Sequence, residues 1–354
     1  MPTRRGFLAS LAAAATVPQL SWADAGAPAF LAAAREADGS FALFGLTEQG
    51  ADLFRVSLPD RGHAACAHPH APEAVAFARR PGTFALVIDC ASGSLIRRLE
   101  APEGRHFYGH GAFLADGAIL CTAENAYETG EGKIGLWSRD DGYRRMGEIE
   151  SGGTGPHDML TLPGDILAVA NGGIRTHPDR GREKLNIDTM RPNLAYVSVS
   201  GGVEEVVELD PGLHRNSIRH LAEHDGQVGF AMQWQGPLPD PAPLVGLHRR
   251  GGAPVLCATD LAEQMAMDGY AGSIAMTADR VAITSPRGGR VHLFGRDGSF
   301  RASVRRADVC GVAAQRGRLF ATDGLGGLHR IEGDALRPLR LAEARNWDNH
   351  VVRI

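Results

Sequence analysis

Tyr108-Gly109-His110-Gly111-Ala112-Phe113 and, 47 residues further on, Gly155-Pro156-His157-Asp158-Met159-Leu160 share one layout. A glycine-bearing approach leads to a histidine, then a short segment, then an apolar strand some seven to nine residues later. The same unit starts again at His68 (Ala65-Cys66-Ala67-His68-Pro69-His70), His220 (Ile218-Arg219-His220-Leu221-Ala222), Ser273 (Gly272-Ser273-Ile274), Cys310-Gly311 and His350 (Asp348-Asn349-His350-Val351). These seven anchors are about 37 to 63 residues apart, which brackets the ~40 to 50 residues of one four-stranded propeller blade. The second strands align as 74–78, 118–123, 165–170, 228–232, 281–284 and 319–322.

The two ends of the chain complete the count. Only Val351-Val352-Arg353-Ile354 follow the last anchor, whereas residues 30–34, 41–46 and 53–58 supply three strands with no anchor before them. A C-terminal innermost strand placed beside the N-terminal strands closes the ring and removes the open sheet edge an array would leave. The reading is therefore all-β: a single seven-bladed β-propeller over residues 26–354, with helix limited to a turn around 261–267. The longest gap holds a polar insertion at about 172–192, long enough to serve as a lid on a rigid scaffold.

Residues 1–25 read as a twin-arginine signal peptide: Thr3-Arg4-Arg5-Gly6-Phe7-Leu8, an apolar stretch to Val17, and small residues at Ala23-Asp24-Ala25. The chain is then expected in the periplasm, with no transmembrane segment after cleavage, because no later run reaches the ~18 apolar residues a span needs. Removal of Arg4, Arg5 and Asp24 takes the formal charge from −4 to −5. With no basic run left, nucleic acid is excluded as a partner. Five cysteines without a Cys-x-x-Cys pair fit neither a disulfide framework nor a zinc ribbon.

In a propeller, the start of each innermost strand shares a face with the loop after the second strand. His68, His110, His157, His220 and His350 are thus expected around one channel mouth, with His70 and Cys310 nearby. The loops bring Arg79, Glu124, Asn125, Asn171, Gln233, Arg287 and Asp323 to it, and the insertion adds Arg175 and His177. Imidazoles near one axis with carboxylate or thiolate help suit iron, copper or zinc. A mouth about 10 Å wide would let only neighbouring blades share one ion, since a metal–nitrogen bond is about 2 Å; the preferred set is His68, His110, His157 and Glu124. The competing reading of each histidine is a packing residue copied by duplication. No Gly-x-Ser-x-Gly, His-Glu-x-x-His, P-loop or Cys-x-x-Cys-His motif is present.

Taken together, Asn171-Gly172-Gly173-Ile174-Arg175-Thr176-His177-Pro178 and its continuation to Met190, Asn216-Ser217-Ile218-Arg219-His220, Ser285-Pro286-Arg287-Gly288-Gly289 and Trp347-Asp348-Asn349-His350 make the chain resemble a family of exported bacterial propellers classed as a domain of unknown function. The resemblance covers the whole mature chain. It implies genomic neighbours that are imelysin-type periplasmic iron-uptake lipoproteins and a dihaem oxidoreductase, and hence periplasmic iron handling. Three functions follow as expectations. The first is a metal-binding or accessory protein of iron acquisition that docks imelysin-type or haem-containing partners. The second is a propeller enzyme, either an oxidoreductase with a redox partner or a metal-dependent lactonase-like hydrolase with His110, His157 and Glu124 as first candidates. The third is a structural interaction platform.

Overall fold

Strands that alternate or are apolar throughout, punctuated by glycine turns, fold into seven four-stranded antiparallel sheets in the computed structural model, which describes residues 20–79 and 84–354. Blade 1 runs, from the axis outward, Arg345–Arg353, Phe30–Glu36, Phe41–Leu46, Asp52–Leu58. The innermost strands of blades 2 to 7 are Gly62–Ala67, Arg105–Phe113, Pro156–Leu162, Asn216–His224, Ser273–Met276 and Val309–Gln315. The expected second strands all form, at Glu73–Ala78, Ile119–Ala126, Ile166–Asn171, Gln227–Trp234, Arg280–Ser285 and Arg318–Asp323. They are buried on both faces, as Ile166–Asn171 is throughout, because each sheet is sandwiched between its neighbours. Outermost strands are largely exposed instead, as Ser94–Glu100 is, and Arg144–Glu150 alternates along its length.

The ring closes as the sequence implies: Phe30–Glu36 pairs antiparallel with Arg345–Arg353 on one side and Phe41–Leu46 on the other. The core consists of wedges between blades. Phe30 and Phe320 meet at 5.0 Å across the junction of blades 1 and 7, beside buried Phe44 and Trp347. Among the described residues the one short α-helix, Leu261–Ala266, lies where a helical turn was expected and is capped by Asp260, whose carboxylate accepts the Glu263 N–H. Among the described residues no helix is long and apolar enough to cross a membrane.

Most of the expected signal peptide, residues 1–19, lies outside the described residues. Residues 20–25 lie against the propeller: Trp22 donates its indole N–H to the His68 carbonyl at 2.9 Å, and Ala25 joins a core cluster with Leu31 and Leu43. The insertion holds two single-turn 3-10 helices, Pro178–Arg180 and Ile187–Thr189. It is tied down by Asn186, which accepts from the Arg175 N–H and donates to the Gly173 carbonyl.

Candidate metal centre

Side chains of an innermost strand alternate between the two faces of its sheet, so they point at neighbouring blades while the strand edge faces the axis. A β-bulge breaks that alternation and re-aims a side chain. In blade 2 the register breaks between Gly62 and Ala65, spanning His63. In blade 3 it breaks between Phe107 and Gly111, spanning His110, and in blade 4 between Pro156 and Asp158, spanning His157. Blade 5 has its break at Arg219, directly before His220, and blade 1 has one over Asp348 to His350. Blade 7 bulges at Cys310-Gly311 without a histidine, and blade 6 pairs without a break.

These bulges bring five imidazoles together on the axis. His110 lies 4.9 Å from His63, 4.9 Å from His157, 4.8 Å from His350 and 5.7 Å from His220, ring centre to ring centre. His220 and His350 are 4.9 Å apart although their blades are not adjacent. The axis is therefore narrower than the mouth the sequence suggested, because the bulges bring the rings inward across the channel. Gly109 makes room for this packing: its φ is +96°, and a Cβ there would lie 2.4 Å from the His63 ring.

Two triads have ligand atoms within 4.8 Å of one another: His63, His110 and His350, and His110, His157 and His220. With metal–nitrogen bonds of about 2 Å, two nitrogens on one ion are at most about 4 Å apart, so small rotamer shifts complete either set. The nitrogens are also available. His63 Nδ1, His110 Nε2 and His350 Nε2 are buried with no hydrogen-bond partner, and buried polar atoms are otherwise almost always paired. Two rings are oriented by hydrogen bonds to the other nitrogen. Asp158 lies 3.0 Å from His110 Nδ1 and also accepts the Leu221 N–H at 3.0 Å. His157 Nδ1 donates to the Arg219 carbonyl at 3.1 Å. A carboxylate or carbonyl on the far nitrogen is how metal-binding histidines are held in the ligating tautomer.

Burial drives the pKa values of His63, His157 and His220 well below the ordinary imidazole range and that of His350 to about 3, with further depression from neighbouring imidazoles and from Arg79 or Arg219. These four rings are neutral at pH 7 and present lone pairs. For Asp158, burial pushes the carboxyl up, but its interaction with His110 and the Leu221 N–H outweigh that and hold it below its usual value. The cluster floors a channel of about 620 Å³ whose wall includes Ala65, Ala222, Ala275 and Ala314.

Four of the expected histidines, His110, His157, His220 and His350, lie in the cluster. His68 does not: it sits just past the far end of Gly62–Ala67, where its Nδ1 accepts the N–H groups of His70 and Ala71 and caps a turn. His70 is exposed in that turn. Glu124 is also elsewhere. It is fully buried within blade 3 and bound by both guanidinium nitrogens of Arg145, at 2.7 and 3.0 Å, and by Thr122. Burial raises its pKa against that pairing. The preferred set is corrected accordingly: His63 and Asp158 take the places given to His68 and Glu124.

Most other mouth residues serve the blades. Asn171 bridges Ser151 and Asn193; Asn125 bonds His106 and the Thr176 carbonyl; Gln233 donates to the Ala271 carbonyl. Asp323 binds His329 at 2.6 Å and Arg306 at 2.7 Å. Arg175 and His177 reach sideways to Glu128. Cys310 turns away from the axis toward Thr322 and the Asp348 carbonyl, 3.3 Å away, and burial lifts its thiol to about 12. Arg79, paired with Asp348, and Arg287, stacked 4.4 Å over Tyr270, do lie at the mouth.

His63 and Asp158 went unread, yet the sequence signals His63. His63, His110 and His157 are spaced by 47 residues each, whereas His68 precedes its second strand by only five. Asp158 follows His157 directly, and nothing in a strand pattern marks it as the partner of a ring from the neighbouring blade.

The fold is widespread among solved structures. The Kuenenia stuttgartiensis hydrazine synthase is similar with a TM-score of 0.62 at 12% identity, over 83% of this chain and 90% of that one. A chain of a mitotic checkpoint complex is similar with a TM-score of 0.56 at 11% identity, over 78% of this chain and 75% of that one. At such identities the likeness concerns the propeller alone. No curated protein matches the chain in sequence. A family model does match, over residues 56–354, a span that holds all five axial histidines, Asp158 and the insertion, and the chain belongs to that family, described as "Protein of unknown function (DUF1513)".

Proposed function

We propose that the protein binds one transition-metal ion in its axial histidine cluster and serves as a periplasmic accessory of iron acquisition. The observation that carries metal binding is the convergence of three buried, unpartnered imidazole nitrogens, on His63, His110 and His350, with the His110 and His157 rings each oriented through Nδ1. An all-imidazole donor set suits iron, copper or zinc and lacks the thiolates that favour cuprous ion. Periplasmic placement rests on the N-terminal Arg4-Arg5 signal. Iron, and a partner of the imelysin or haem-protein class, rest on the family's genomic neighbours.

The test is metal analysis of untagged protein isolated from the periplasm. Stoichiometric iron is the expected result, and stoichiometric copper or zinc would keep the site but move the role away from iron. Metal-free protein that takes up none of the three in titration would overturn the reading. The channel that reaches the cluster favours a second reading, a metalloenzyme, because a resident metal there has a route to small molecules.

A further inference from the structure

The axial cluster has two sides of different character: one carries unpaired cations, and the other carries carboxylates among arginines, with Arg296 bonded to the His224 carbonyl at 2.7 Å. On the side where the innermost strands begin, the insertion crosses the mouth and brings cations over it. Lys184 is anchored at 2.5 Å to Gln235 of blade 5, Arg287 of blade 6 is stacked on Tyr270, and Tyr270 is hydrogen-bonded to Asn349 beside His350. Arg79 of blade 2 completes the collar, with Arg182 of the insertion close enough to depress its pKa, as Arg287 depresses that of Lys184; in both, burial is the larger cause. Of the acids at this mouth, Asp348 is taken up by Arg61 at 2.7 Å and Arg79 at 3.4 Å, and Asp323 by Arg306 and His329. Among the described residues no carboxylate pairs with Arg182, Lys184 or Arg287. A hydrated dication approaching from this side meets like charge at close range, which costs free energy.

The other side is open. The channel of about 620 Å³ runs from His110, His220 and His350 to the ends of the innermost strands, and its rim carries Glu223, His224 and Asp225 beside Arg353. His224 Nδ1 is buried there without a partner. The wall is kept wide by alanines, and the exposed edges of the innermost strands offer backbone N–H and C=O groups to water or to a hydrated ion. Blade 6 has no bulge and presents Ser273 in place of a histidine, which leaves that sector of the cluster without a ligand.

We propose that the metal ion enters and leaves the axial cluster through this channel, on the face opposite the insertion, with Glu223, His224 and Asp225 as its first point of contact. The inference rests on the metal-binding reading and adds direction to it: free metal ion reaches the cluster from the strand-end face rather than from the insertion face.

The test is stopped-flow uptake of cobaltous ion by the metal-free full chain, with equilibrium titration alongside. Glu223→Gln with Asp225→Asn is expected to slow uptake several-fold at low ionic strength, less at high salt, with unchanged stoichiometry. Ala222→Phe with Ala314→Phe is expected to slow both uptake and chelator-driven release by tenfold or more. Circular dichroism confirms that each variant is folded, and the charge variants carry the test if the phenylalanine pair does not fold. Rates untouched by the rim and channel variants would overturn the route while leaving metal binding intact. No equilibrium binding of cobaltous ion would overturn the reading beneath it as well.

Discussion

Asp158 is the residue on which the chemistry of the cluster turns. Its carboxylate fixes the His110 ring through Nδ1 and leaves Nε2 facing the axis. Asp158→Asn keeps the size of the side chain but loses the charge, and loss of such a partner typically weakens a metal site 10- to 100-fold. That drop, with little change in thermal stability of the metal-free protein, is the expected result of a calorimetric titration. The neutral, buried histidines set a pH dependence. Their folded-state pKa values are depressed, so below about pH 6.5 the unfolded chain binds more protons than the native one. Stability of the metal-free protein is therefore full above that pH and falls as pH drops toward the folded values, about 3 for His350. Each such ring contributes at most about 1.4 kcal/mol per pH unit. Urea unfolding at pH 7, 6 and 5 measures it, and a midpoint that holds constant across this range would contradict neutral burial of the four rings.

At the scale of elements, the second strands were legible because burial on both faces makes them apolar and uninterrupted, as in Ile166–Asn171. The bulges were not, because an extra residue in an innermost strand leaves no periodic trace. His63 and His68 lie in the same stretch of blade 2, and only the break between Gly62 and Ala65 decides which reaches the axis. Glu124 illustrates the converse. It was expected in the loop after its second strand, but the strand runs on to Ala126 and the side chain enters the blade, over Gly135, where a Cβ would lie 1.9 Å from its carboxylate. Removing one member of a buried ion pair costs about 3 to 5 kcal/mol. Glu124→Ala is thus expected to lower the stability of the fold by about that amount, read by chemical denaturation, while the folded fraction binds metal with unchanged affinity.

For the whole molecule, the ring explains why a site this compact is built from residues 63 to 350. No pair of adjacent blades holds it; closure by Arg345–Arg353 brings His350 within reach of His63, 4.9 Å away. Cutting the chain after Leu341 removes that strand, exposes the edge of Phe30–Glu36 and leaves Phe44 without Trp347, 5.7 Å from it in the intact ring. The truncated chain is expected to lose its cooperative thermal transition and to aggregate in gel filtration. The seven-fold count and the closure could be read from the anchors and the unmatched N-terminal strands; the narrowing of the axis could not, since it depends on the bulges of five blades acting together. The central claim is that those bulges build a metal site, and titration of the metal-free chain with zinc, wild type against His63→Ala/His110→Ala/His350→Ala, tests it most directly. One tightly bound ion in the wild type and none in a variant with native circular dichroism is the predicted result; equal affinity in both would contradict it.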